Sequence, residues 1–291
     1  MEHAVPAIIK DHYFDMHHSD TSKWARANAA RRYSEAMIDM FLSDEIKNQI
    51  GEDKYYKMRL SEVLQKLEKG ITPDLQRTLE FIKDIGDKGS HAGRKKSAPN
   101  EQEVNKAVSL ASYELLPLII HNYFANQVSF FSIDGGPKLF SALLPSIRVY
   151  VLEKLIDFRS KKLLVESNLD KNLLHKYVLA TYKNGQREKI RRRLRELKNK
   201  SRISEDLYIA FCKTIENLDN NISKLPIPKT MQDSKRNFDN VLDQMDEEGK
   251  KNNKRLIEMI NKLLSDYTPS KMGNLEGDYI MHNEYINFRK L

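Results

Sequence analysis

Apolar residues recur at helical spacing along most of this chain, and the first such stripe begins just after Ser22. Trp24, Ala27, Met37 and Phe41 share its face, so a helix is predicted from a Ser22 (or Thr21) cap to about Leu42. A second stripe, Met58, Val63, Leu64 and Leu67, predicts a helix over about 54–68, closed by Gly70. Thr72-Pro73 is a helix-start signal, with Pro in the first turn where its missing N–H costs nothing. Leu75, Leu79, Ile82 and Ile85 carry that third helix to Gly86, and the glycine-bearing stretch from Gly86 to Asn100 reads as a loop. A fourth helix opens at Asn100 and runs through Val104, Val108, Ala111, Leu115 and Leu116 to about Tyr123. Four helices with short connections predict a bundle.

The helical period breaks over 127–138, which reads as a domain boundary. Further helices are predicted near 139–158, 170–183, 186–199 and 204–218. After a Leu225-Pro226-Ile227-Pro228 linker they resume near 233–247 and 252–265. The final residues carry Tyr279, Ile280, Tyr285, Ile286 and Phe288 without helical period and read as an extended tail that docks on the protein's own body or on a partner at 270–291. The predicted architecture is all-α. A four-helix bundle fills 1–126, a basic helical domain follows at 139–220, and C-terminal helices with the tail occupy 229–291.

Composition narrows the function classes. Gly and Pro together number only 20 in 291 residues, consistent with helix. A single cysteine, Cys212, excludes an intrachain disulfide and a cysteine zinc cage, which suits a reducing, cytoplasmic setting. No run of about 18 uncharged apolar residues exists, so no membrane partner is expected. Nucleotide-binding glycine loops and a Gly-x-Ser-x-Gly elbow are absent, and no cofactor is expected. Asp11, His12, Asp15, His17 and His18 are metal-capable types, but they crowd eight residues with no distal ligands, and no metal site is assigned. His121, His175 and Cys212 are expected to pack rather than react.

Charge points somewhere specific. The formal net charge is +8, and the window Lys183–Arg202 alone holds ten basic residues against Glu188 and Glu196. The whole excess therefore lies in twenty residues, and concentrated positive potential draws polyanions. Ile190, Leu194 and Leu197 give this window an apolar stripe, which turns Arg191, Arg192, Arg195 and Lys198 outward. Lys183, Arg187, Lys189, Arg191, Arg192, Arg193, Arg195 and Lys198 are the candidate RNA or DNA contacts; a solvated face without a partner is the competing reading.

The stretch from about 22 to 126 resembles the HEPN superfamily, and within it the DUF4145-like domains. The likeness rests on Ser22-Lys-Trp-Ala-Arg-Ala-Asn-Ala-Ala-Arg-Arg-Tyr-Ser-Glu-Ala and on Phe81-Ile-Lys-Asp-Ile-Gly-Asp-Lys-Gly-Ser-His91-Ala-Gly, followed by the restart at Asn100-Glu-Gln-Glu103. The resemblance implies a helical bundle that pairs into a homodimer and a place in prokaryotic defence or toxin-type systems. It also implies, in catalytic members, a metal-independent RNase site of an Arg, four to six residues, then a His. A histidine can take the ribose 2′-OH proton while an arginine binds the phosphate. Here His91 matches, but the Arg positions hold Asp84, Ile85 and Gly86, which leaves Lys83 or Arg94 as substitutes. The reading is therefore a non-catalytic or weakly catalytic protein that binds nucleic acid or a partner. Its alternatives are a metal-independent RNase using His91 with Lys83 or Arg94, and an interaction scaffold without nucleic-acid affinity. In the non-catalytic reading, Gly86, Gly89 and His91 form a tight helix-end turn.

Overall fold

The computed structural model describes residues 9–18, 20–90, 98–126, 135–162, 169–221, 228 and 230–264. Every regular element among them is a helix, so the protein is all-α. The chain divides into two compact units, one of residues 1–122 with 261–291 and the other of residues 123–260. Residues 139–220 and 231–260, assigned to separate domains from the sequence, thus fall in one unit. Most of the expected 127–138 boundary, the linker at 225–227 and the tail at 270–291 lie outside the described residues. No described helix is long and apolar enough to cross a membrane.

The first unit is organised around α2 (Lys23–Phe41), which packs against α1 (Lys10–His17), α6 (Pro73–Ser90) and α7 (Glu101–Ser109). Ser22 caps α2 as the sequence predicts, its hydroxyl accepting from the Ala25 N–H. Ala27, Ala30, Tyr33 and Met37 on α2 meet a core that includes Leu75, Leu79 and Ile82 of α6 and Val104 and Ala107 of α7, all essentially inaccessible to solvent. Arg26 lies inside this packing at 4% exposure, and its donors are matched. Nε donates to the Met16 carbonyl at 3.1 Å, Nη1 to Glu101 at 2.8 Å and Nη2 to Asn105 at 2.7 Å. A buried guanidinium is tolerable because it is fully engaged, and it joins α1, α2 and α7.

Four local expectations are revised in this unit. The single helix expected over 54–68 is two, α4 (Glu52–Tyr55) and α5 (Leu60–Leu67), preceded by α3 (Asp44–Ile50). The break has a local cause, because the Glu62 carboxylate accepts from the Arg59 N–H at 2.9 Å and restarts the helix there. At the start of α6, Thr72 is in place but its hydroxyl is buried without a partner. Asn122 holds this corner instead, accepting from the Thr72 N–H at 2.7 Å and donating to the Gly70 carbonyl at 3.3 Å.

The third revision concerns Gly86 and Gly89, which lie within α6, Gly89 one residue before its end, while the His91 part of the expected turn lies outside the described residues. A Cβ on Gly86 would lie 2.4 Å from the Arg31 Cβ, and one on Gly89 would lie 2.9 Å from the Trp24 carbonyl oxygen and 3.1 Å from the Ala27 Cβ. The two glycines sit three apart on the face of α6 that meets α2, and their missing side chains are what lets the helices approach. The fourth predicted helix starts as expected with an Asn100–Glu103 capping box, but it is interrupted by a π-helical turn at Leu110–Glu114 before α8 (Leu115–Ala125). Pro117 lies just downstream, where its ring would strike the Tyr113 carbonyl of an unbroken α-helix; the wider turn relieves that conflict.

The second unit contains α9 (Gly136–Ser141), α10 (Pro145–Lys162), α11 (Lys171–Lys183), α12 (Arg187–Asn199), α13 (Glu205–Asn221), α14 (Met231–Asp243) and α15 (Glu247–Asn252). The start of α16 (Lys254–Leu264) also belongs to it. Within it α10 packs on α11, α11 on α12 and α13, and α12 on α13. Leu152, Leu155, Leu173, Tyr177, Ile190, Leu194 and Ile215 are buried between them. Asp170 caps α11, and Gly185, at a φ of 74°, makes the left-handed turn into α12.

Candidate nucleic-acid interface

The basic window folds as its pattern predicts, into α12 with Ile190, Leu194 and Leu197 buried. Each of those side chains contributes about 1.5–3 kcal/mol by leaving water, so the apolar stripe fixes which way the arginines point. The structure then splits the cations into two groups. Lys189 meets Glu153 of α10 at 2.7 Å, and Arg193 is held by Asp157 of α10 and by Glu196 at 3.1 Å. Arg187 meets Asp219 of α13 at 2.9 Å and lies over the Tyr182 ring; Lys198 meets Glu205 of α13 at 3.0 Å and lies over Tyr208. These four tie α12 to its neighbours. Lys198 is thereby half-buried and does not face outward as the sequence suggested.

Arg191, Arg192 and Arg195 form the other group. All three are exposed, and among the described residues Arg192 and Arg195 form no ion pair and Arg191 pairs only with Glu188, a largely solvated partner at 3.3 Å. They occupy one face of the helix, and Arg191 and Arg195 stand about 6 Å apart along its axis. That separation is about twice the axial rise per phosphate of one duplex strand, roughly 3.4 Å. Because Tyr182 and Tyr208 are already covered by Arg187 and Lys198, the face offers charge rather than stacking platforms. Its chemistry suits phosphate contacts that carry no sequence information.

Lys183 belongs to neither group. It ends α11, and burial together with the neighbouring Arg148 and Lys176 cations pushes its pKa down to about 8. An unfolded lysine keeps its proton to about 10.5, so between pH 8 and that value the unfolded chain binds more protons, and stability rises with pH. Buried phenols such as Tyr177, held un-ionised in the fold, oppose the trend above about pH 10. The urea midpoint is therefore expected to climb between pH 8 and 9.5 and to flatten in Lys183→Met. A wild-type midpoint that is level or falling over that range would contradict this.

Of the proposed RNase residues, His91 and Arg94 lie outside the described residues. Lys83 is described, and its ammonium donates to Asp87 at 2.8 Å and Asp84 at 3.3 Å, which raises its pKa. Asp87 also receives Arg31 at 2.5 Å. A cation already neutralised by two carboxylates is a poor phosphate ligand.

Sequence spacing concealed one polar pair. His17, 5% exposed, lies 2.8 Å through Nε2 from Ser112 Oγ on the π turn, and its ring lies tilted against that of Tyr13 with centroids 4.6 Å apart. The two are 95 residues apart, so no local pattern signals them, and the bond joins α1 to the π turn. Among the described residues no group of three or more His, Cys, Asp or Glu is placed to hold a metal ion. His121 is buried as expected, whereas His175 is exposed and Cys212 only half-buried. The physical reason is their position at the edge of the α11 and α13 apolar faces. No protein-family model matches the chain, and neither does any curated protein or solved structure.

Proposed function

We propose that this chain is a non-catalytic nucleic-acid-binding protein that grips phosphate backbones with α12. The observation that carries the reading is the outward row of Arg191, Arg192 and Arg195, which among the described residues form no ion pair beyond that of Arg191 with a solvated Glu188, while the other cations of the helix are paired. The HEPN-like segment at 22–126 supports a homodimer placed in a prokaryotic defence or toxin-type system, and a paired protein presents two such helices to one polyanion. The engagement of Lys83 by Asp84 and Asp87 favours binding over cleavage.

Incubation of the protein with total RNA in EDTA tests this directly, wild type beside His91→Ala. The expected gel shows intact RNA in both lanes and a mobility shift that fades with salt. Cleavage by wild type that disappears in His91→Ala would overturn the non-catalytic reading in favour of a metal-independent endoribonuclease. A gel with neither cleavage nor shift would leave an interaction scaffold, in which deletion of 270–291 breaks a protein complex.

A further inference from the structure

A second cationic group lies in the same unit as α12, at the corner where α9 meets α10. Arg148, in the first turn of α10, is 4% exposed, and its Nε and Nη2 atoms are buried with no hydrogen-bond partner. Lys176 of α11 reaches the same corner and donates to Ser141 Oγ, at the end of α9, at 3.0 Å. The Ser141 hydroxyl donates in turn to the Pro137 carbonyl at 2.7 Å and is thereby oriented to accept from Lys176. Lys183 lies two turns further along α11 on the Lys176 face. Arg148 is close enough to depress both ammonium groups.

A buried guanidinium with two vacant donors is costly, because a desolvated charge is stable only when its hydrogens are taken. Arg26 and Arg193 obey the rule, and among the described arginines Arg159 leaves one buried donor unmatched where Arg148 leaves two. The exception at Arg148 therefore asks for an acceptor from outside the chain. A guanidinium presents its donors as a planar fork that matches two oxygens of one oxyanion. The Arg148 fork with the Lys176 ammonium at the same corner, and Lys183 further along the same helix face, matches a doubly charged group better than a chloride or a carboxylate.

We propose that Arg148, Lys176 and Lys183 form a binding site for a phosphate dianion, either inorganic phosphate or the terminal phosphate of a nucleotide. The Arg148 fork supplies the two buried donors and the lysines close the site from the half-buried side. It is separate from the α12 face, which meets phosphodiesters, and does not depend on that face binding anything.

Thermal melting of the full chain at low ionic strength tests the site, with inorganic phosphate compared against sodium chloride at matched ionic strength. Phosphate in excess of its Kd stabilises only the folded state, so the wild-type Tm is expected to rise with phosphate and not with chloride. Arg148→Met removes the unfilled donors while keeping volume. It is expected to melt no lower than wild type in phosphate-free buffer and to show no phosphate-dependent rise. Lys176→Gln retains a donor for Ser141 and provides a reading should the first variant misfold; its rise is expected to need at least tenfold more phosphate. Equal melting of wild type in phosphate and chloride, or an undiminished rise in either variant, would overturn the site. Calorimetry with a 5′-phosphorylated and an unphosphorylated dinucleotide then separates the sources. Binding confined to the phosphorylated form, tighter than inorganic phosphate, assigns the nucleotide, and affinity no better than inorganic phosphate assigns the free anion.

Discussion

Replacing Arg191, Arg192 and Arg195 together with glutamate is expected to abolish nucleic-acid binding while leaving the melting temperature nearly unchanged. Three phosphate contacts give a salt slope of about −2.7 on duplex, so wild-type affinity should fall about 40-fold between 50 and 200 mM salt. Extrapolated to 1 M salt, the same slope attributes on the order of 10³-fold of the affinity at 50 mM to these contacts. The charge-reversed protein should lose at least that much and show no salt dependence. Fold stability is spared because all three side chains are exposed and their loss removes only the weak Glu188 pair. Arg193 is kept in this variant, since its bonds to Asp157 and Glu196 tie α12 to α10 and its removal would confuse unfolding with lost binding. Filter binding across a salt series reads the result, and affinity that survives the triple reversal would remove α12 from the function.

The second large effect is expected at Gly86. In an exposed helix a Gly→Ala change stabilises by about 1 kcal/mol, because alanine loses less backbone freedom. At Gly86 the new methyl would sit 2.4 Å from the Arg31 Cβ and 2.9 Å from its Cδ, whereas carbon atoms rest at about 3.5–4.0 Å. The Cδ can swing aside but the Cβ moves only with the backbone of α2, so the helices must part by about 1 Å. Such overpacking costs about 1–3 kcal/mol or somewhat more, and separation also stretches the Arg31–Asp87 ion pair. The clash outweighs the propensity, so Gly86→Ala should lower stability and Gly86→Val should lower it by about 3 kcal/mol. On a chain of this size that corresponds to a Tm fall of roughly 6–12 °C. Gly70→Ala is the control, because its Cβ would meet only the Leu67 carbonyl oxygen at 3.7 Å. Melting curves of the three variants decide the matter, and a Gly86→Val protein as stable as wild type would refute the close approach of α2 and α6.

What could be read from the sequence was whatever depends on near neighbours. The Ser22 and Asn100 caps, the Pro73 start and the Ile190–Leu194–Leu197 stripe are local, since each needs only residues within a turn or two. The roles of Gly86 and Gly89 were misread because a glycine at a turn and a glycine under another helix look alike in one dimension. Only the placement of Arg31 and Trp24 tells them apart. The division of the basic helix into paired and free cations was hidden for the same reason. Glu153, Asp157 and Asp219 lie 32–36 residues from their partners, and nothing local announces which charges they neutralise. Arg148 has no signature in the sequence, because a lone arginine in an apolar stretch reveals nothing until its burial is known.

The first unit draws on both ends of the described chain. Lys262 of α16 donates to the Met40 carbonyl at the end of α2 at 2.8 Å, although 222 residues separate them. During synthesis at about 5–20 residues per second, the intervening stretch 123–260 takes on the order of 10 s to emerge. For that interval the nascent N-terminal helices wait without the segment that finishes them, and the last carbonyls of α2 stay open to other donors. The second unit, continuous in sequence, can complete its own contacts first, so the order of folding on the ribosome is expected to run against the order of the chain.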